Sequence, residues 1–532
     1  MARAALLLAL PVLFLSFFFL NPLARMLDGA TADGWAWLAS PYVQERLQTA
    51  VTQAVLSVAA TFALAVPLAW FHHSRRLPMS RVHLAIHAAP FVLPVFVIVY
   101  GIEELLGPRS ALAGATGLDA MAWLGPLGAI VVAHAYYNYG FAARLLHAAL
   151  EARPHRLEAA AASLGATPRQ AFWRVTVPLL APAVAGVALL VFLFAFTSFG
   201  VVLLLGQGQV ATLETLLYQN LQGAFPRPER AAALGLVQLG LNVLLLGGYL
   251  ALRRRIAVPR ETPPTPPPAR QRDHVVAWTT LALGLAPAAA VLAGGFRVRG
   301  EWTLEPWRAL LDPGHPGHLP GFHLGEAVGL SLLYAAASAG LALLLTLLLA
   351  YGVRRIGGPW RRLAEMLAAL PLGTSSLLVG FGFLLAFGAQ GWPDLRGTRV
   401  LIVLAHALVG FPFTARVLLP ALDSLDRRLD DAAASLGAPP WSVAWHVHAP
   451  LLRAPVVAAA GLAVAMSLGD FGASVLLMRQ ENMALNVWIT QHHVPFRSLL
   501  LAQRTALAGL LGVLAALAYV AVERVRPKGA EF

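Results

Sequence analysis

Glu158-Ala159-Ala160-Ala161-Ala162-Ser163-Leu164-Gly165 recurs in the same chain as Asp430-Asp431-Ala432-Ala433-Ala434-Ser435-Leu436-Gly437. The first copy continues through Phe172 to Val177-Pro178-Leu179-Leu180, and the second continues to Ala449-Pro450-Leu451-Leu452. Each copy is a polar, alanine-rich island between long apolar segments. The offset is 272 residues (158 to 430) in a chain of 532. It holds without a gap from Ala133-His134 and Ala405-His406, through Phe141-Ala142-Ala143-Arg144 and Phe413-Thr414-Ala415-Arg416, to Phe199-Gly200 and Phe471-Gly472. Leu213 and Gln219 likewise match Leu485 and Gln491. Upstream the offset lengthens slightly, so that Pro90 and Gly101 correspond to Pro371 and Gly382. Such long-range self-similarity is a tandem duplication of a domain of about 250 residues, not a short solenoid repeat.

Composition places both copies in a membrane. The chain is 58% hydrophobic and 12% charged, with mean hydropathy +0.67. A soluble domain carries about twice that charged fraction. The net charge of +13 is therefore assigned to cytoplasmic loops rather than to nucleic acid. The chain has no cysteine, which excludes disulfides and thiolate chemistry. Its one lysine, Lys528, follows no glycine-rich loop, so no nucleotide-binding P-loop is present. Metalloprotease and nucleophile-elbow motifs are also missing, and the chain reads as no enzyme.

Twelve apolar stretches are long enough for about 30 Å of hydrocarbon. In the first half they lie near 4–20, 49–71, 86–106, 125–148, 179–205 and 231–252. In the second they lie near 275–293, 325–353, 363–388, 399–420, 451–477 and 501–521. The run 4–20 reads as a retained helix rather than a cleaved signal, because the second half has an equivalent span and no small-x-small site follows Leu20. Residues 21–48 read as a mixed loop. The fold class is an all-α membrane protein of two tandem six-helix halves, 1–257 and 274–532. A proline-rich linker, 258–273, joins them. Six is even, so the halves share an orientation and are related by a pseudo-twofold axis along the membrane normal. With the N-terminus inside, about 26 of the 39 Lys and Arg residues fall in the cytoplasm. The islands, 151–178 and 423–450, are then cytoplasmic too.

The first island reads as two short helices. Pro154 suits a first helical position, residues 156–164 are good helix formers, and Gly165 suits the left-handed residue past a helix end. Thr167-Pro168-Arg169-Gln170 reads as a capping box opening the second helix. In the second island Pro439-Pro440 stands in its place. An alanine-rich helix without bulky side chains can be approached closely, which suits docking into a groove on a soluble partner. An ordinary helical loop explains one such island less well when two occupy the same point of the topology.

The pattern Glu-Ala-Ala, three residues, Gly, then a hydrophobic-Pro stretch resembles the signature of ABC-transporter permeases of the binding-protein-dependent import class. The resemblance covers nearly the whole chain as two fused permease halves. It implies that each island holds a coupling helix for a separate ATPase dimer, with a soluble binding protein delivering solute on the outside. Glu158, Ala159, Ala160, Gly165, Phe172 and Pro178 match in the first half, and Ala432, Gly437 and Pro450 in the second. Asp430-Asp431 replaces the Glu-Ala pair, and Ala444 stands where the aromatic would be. No cofactor is implied on this chain; ATP and magnesium would be bound by the partner ATPase. Fused halves are similar to those of thiamine and ferric-iron importers. Asn138, Gly206-Gln207-Gly208, Ala211-Thr212-Leu213-Glu214, Tyr218-Gln219 and Ser467-Leu468-Gly469-Asp470-Phe471-Gly472 lie closer to the thiamine type. The ferric-iron type stays the alternative. An ion-coupled secondary transporter is the rival of another class, since it too can arise by parallel duplication.

Charged groups within spans call for a function. Asp470, where the first half has Ser198, is a candidate for attracting a cationic solute; a helix-packing hydrogen bond is the competing reading. His134 and His406, at equivalent places, read either as a pair lining a pathway or as interhelical hydrogen bonds. Asn138 and Gln219 are weaker candidates. Glu103 and Glu104 read as solvated at the outer end of the third span.

Overall fold

A computed structural model describes residues 2–222, 225–255, 267–388, 391–491 and 498–525. Its spans are α1 (Leu6–Gly29), α2 (Pro41–Ser74), α3 (Ser80–Val92 with Val95–Leu106), α4 (Ala120–Ala152), α5 (Pro168–Phe196) and α6 (Pro228–Leu252). The second half repeats them as α7 (Gln271–Gly294), α8 (Leu324–Val353), α9 (Gly358–Gly373 with Ser376–Phe387), α10 (Arg399–Asp423), α11 (Pro440–Gly469) and α12 (Ser498–Ala521). Ten are single helices, with α4 kinked at Gly125 (φ 64°, ψ 174°), and two are bent pairs, so the count of twelve holds with each pair as one span. Most of the linker, including its Thr-Pro-rich core, lies outside the described residues. Its described end is tied down: the Arg76 amide donates to the Pro267 carbonyl at 3.0 Å, and Arg75 pairs with Asp273 at 3.3 Å.

Four expectations need correction. The third and ninth spans are not straight; they turn by 102° and 101°. Leu93 and Thr374 are extended at the bends (ψ 144° and 139°). Pro94, with no amide to continue the first helix, follows one bend, and Ser375 caps the new helix after the other. The fifth and eleventh spans do not run on to 205 and 477. They stop at Phe196 and Gly469, and short helices Gly200–Leu205 and Gly472–Leu477 follow. Residues 21–48 are not a loop, because helices Asn21–Gly29 and Ala32–Leu38 fill the region. Thr31 caps the second of these, and Ser40 caps α2. Glu103 and Glu104 are half-buried rather than free in water.

The halves are interleaved. α1 leaves its own α2 and packs on α8 and α9 of the other half, and α7 packs on α3 and α12. Phe17 and Phe18 of α1 set their rings 5.5 and 5.3 Å from Phe387 of α9. Two close approaches between the halves use the duplicated glycines. A Cβ on Gly101 would sit 2.4 Å from the Pro287 carbonyl oxygen of α7, and a Cβ on Gly382 would sit 2.9 Å from Pro22 Cβ of α1. Each half thus seats a proline of the other's first helix on a glycine of its third. Lipid is as apolar as leucine, so helices associate in membranes by this kind of close packing.

This fit is testable by substitution. Gly101→Val should lower the thermal-unfolding midpoint in detergent by the equivalent of about 1–3 kcal/mol, the usual effect of overpacking. Gly329→Val, at a site with open space around the new carbon, should leave the midpoint within error.

Candidate functional site

The two islands fold alike. Helix His155–Ser163 ends with Gly165 at φ 85°, and helix Arg427–Ser435 ends with Gly437 at φ 76°. No atom crowds either glycine, so backbone conformation rather than space requires it. Ala166 N donates to Ala161 O and Gly165 N to Ala162 O, both at 3.0 Å; Ala438 and Gly437 repeat this at 3.0 and 2.9 Å. That pairing is a Schellman closure of the helix end. The Thr167–Gln170 capping box is present. Pro154 sits at the cap, one residue before its expected place.

Each island is braced by its acidic residue. Glu158 accepts from Thr176 Oγ1 at 2.5 Å and pairs with Arg153 at 3.0 Å. Asp430 meets His448 Nε2 at 2.6 Å and Arg354 at 2.8 Å. Thr176 and His448 are themselves one offset apart. Arg153 reaches back to His73 of α2 at 3.1 Å. Arg354, at the end of α8, also donates to the Leu422 and Leu425 carbonyls. The acidic groups therefore face inward and tie the islands to α2 and α8. Ala159, Ala160 and Ala432 lie on the exposed part of their helices. Pro178 and Pro450 open the straight parts of α5 and α11. Phe172 packs edge-on against Trp70 at 5.8 Å, whereas Ala444 has no ring to do so.

Leu164 and Leu436, one offset apart, are each 89% exposed, and Trp173 and Trp445 are 60% and 73% exposed. Leu157 and Leu429 repeat the pattern. The expectations from sequence give these leucines no role. A signal exists nonetheless: they are the large apolar residues that recur inside otherwise polar islands.

At the centre, a cavity of about 260 Å³ is lined from both halves. His134, Asn138 and Ser198 come from the first half, and Asp470 from the second. His406 lies behind the wall, bonded to Ser467 Oγ at 2.8 Å and Ser474 Oγ at 3.0 Å. It is thus a packing group, not a lining one. His134 meets Ser57 of α2 at 3.1 Å, and Asn138 Nδ2 donates to the His134 carbonyl at 2.8 Å. Both keep a buried polar atom without a partner, His134 Nε2 and Asn138 Oδ1. Asp470 Oδ1 accepts from the Ala473 and Ser474 amides at 3.1 and 3.3 Å. It therefore caps the helix after the α11 break, as the packing reading requires, while also lining the cavity. Phe199 and Phe471 stack at 5.3 Å and 18°. Because these rings are equivalent and touch, the axis relating the halves passes between them. Thr374, Ser375 and Ser376, at the α9 bend, also line the cavity. This polar triplet in an apolar run is absent from the candidates drawn from sequence.

The sequence is similar to that of known proteins. The family model described as the binding-protein-dependent transport system inner membrane component matches residues 42–258 and 342–527. The chain is 30% identical to the thiamine transport system permease protein of Escherichia coli, over 88% of this chain and 87% of that one. It is 28% identical to the thiamine transport system permease protein of Brucella abortus, over 91% and 87%. A ferric transport system permease protein of Actinobacillus pleuropneumoniae is 25% identical, over 75% and 60%. The chain belongs to the binding-protein-dependent transport system inner membrane components, the permeases of ABC importers, and carries that unit twice in tandem.

Proposed function

We propose that this chain carries thiamine across the bacterial inner membrane for a separate ATPase. The observation that carries the reading is the pair of equivalent islands, each presenting an exposed leucine at the tip of a braced, sharply closed helix. The substrate choice is supported by the thiamine permeases, which align along 87% of their length; the ferric permease aligns along 60%. A cavity with a carboxylate in its wall suits an organic cation. Family membership argues against the ion-coupled alternative.

In this reading the halves are 1–257 and 274–532, and both termini and both islands face the cytoplasm. The ATPase dimer binds 151–178 and 423–450, and a soluble binding protein docks on the opposite side. Leu164 and Leu436 enter grooves on the ATPases. Glu158 and Asp430 do not reach across; they make each island move with α2 and α8. Closure of the dimer on ATP then displaces α2, whose Ser57 holds His134, and α8 together, and switches access to the cavity. The chain contributes no ATP chemistry. ATP and magnesium belong to the partner.

Two outcomes are expected. Gly165→Pro or Gly437→Pro, incompatible with a positive φ, should abolish transport while the chain still inserts; normal uptake in both variants would refute the coupling role. Leu164→Asp with Leu436→Asp should weaken ATPase binding at least ~10-fold in a pull-down titration, as expected for loss of buried anchors.

A further inference from the structure

His134 and Asn138 stand one turn apart on α4, and both line the central cavity. They are 2% and 1% exposed. Each has one polar atom that is satisfied and one that is not, and the bonds present fix what kind of atom is left over. The Ser57 hydroxyl donates to the Gln53 carbonyl at 2.6 Å, so its single proton is committed. Its 3.1 Å contact with His134 Nδ1 therefore has the ring as donor. Neither ring nitrogen meets a carboxylate, and an unpaired cation within a span is costly, so the imidazole is neutral. Nε2, buried without a partner, is then a lone-pair acceptor. Asn138 is oriented in the same way. The group 2.8 Å from the His134 carbonyl must be its NH2, because only that end of the amide donates. That leaves Oδ1, also buried without a partner, as a second acceptor.

The duplication separates this pair from inherited packing. At the offset of 272, His134 falls on His406, whose two nitrogens are both satisfied, by Ser467 and Ser474. The first half has Ala195 and Val202 at those serine positions, and Gly410 stands where Asn138 would be. The two open acceptors therefore belong to one wall of the cavity alone.

Buried acceptors cost free energy until donors reach them. A single nitrogen bearing two N–H bonds can serve both. Beside them the wall is aromatic. Phe91, Tyr137 and Phe194 line the same cavity, with the Phe91 ring 5.6 Å from Tyr137 and 5.2 Å from Phe194. Aromatic faces favour a flat ring. The chemistry that fits both features is an amino group on a heteroaromatic ring.

We infer that His134 Nε2 and Asn138 Oδ1 receive the amino group of a heteroaromatic solute, which in thiamine is that of the aminopyrimidine ring. This rests on the thiamine reading. The test uses the full complex with its ATPase and binding protein in liposomes. It compares uptake of thiamine with uptake of the analogue whose ring amino group is replaced by hydrogen. Each variant is divided by wild type for each solute, so the binding protein's own preference cancels. Asn138→Leu should lower kcat/KM for thiamine roughly tenfold and leave the analogue within about twofold. His134→Phe, which also gives up the Ser57 bond, should lower both, thiamine by roughly tenfold more. Equilibrium binding of the two solutes to the permease–ATPase complex without binding protein should show the same ratios. Equal losses for the two solutes in both variants would assign the pair a packing role and overturn the inference, as would no loss for either. A wild-type complex that fails to transport thiamine would instead overturn the substrate reading, and this inference with it.

Discussion

A backbone amide in hydrocarbon has no water to bond, so irregular chain inside a membrane survives only where protein or a hydrated cavity surrounds it. That constraint organises this molecule. Four interruptions of its spans lie close together: the bends of α3 and α9, and the ends of α5 and α11. All four line one cavity, through Leu93, Ser375, Ser198 and Asp470. The polar side chains there satisfy the interrupted backbone. Asp470 caps two amides and Ser375 caps one, while Asn486 donates to the Asp470 carbonyl. The cavity wall and the repair of broken helices therefore use the same residues.

Around that centre the duplicated halves are locked by exchange. The first helix of each packs on the third of the other, with proline against glycine. At the island end, the two acidic residues brace their own helices. Glu158 and Asp430 hold equivalent partners 18 residues ahead, Thr176 and His448. Through Arg153 and His73 the first island is tied to α2, and through Arg354 the second is tied to α8.

Much of this was legible in the sequence. The constant offset exposed the duplication, the apolar runs gave the spans, and Gly165 with Thr167-Pro168 marked a closed helix and a new start. Span interiors were less legible, because a bend at Pro94 leaves the apolar run around it uninterrupted. The cavity was partly legible. His134, Asn138, Ser198 and Asp470 line it, but His406 turns away to Ser467 and Ser474, since equal sequence positions need not have equal neighbours. Leu164 and Leu436 escaped notice because an exposed leucine acquires meaning only once its exposure is known.

The central claim is that the islands transmit a partner's motion into the paired halves. The chain's lack of cysteine makes it directly testable by spin labels on cysteines placed at the exposed, equivalent positions Arg169 and Trp441. Pulsed dipolar distances between them would be recorded in the assembled complex, without nucleotide and with ATP trapped. The account predicts a shift of the distance distribution by several ångströms on ATP trapping. An unchanged distribution in a complex that still transports would contradict it.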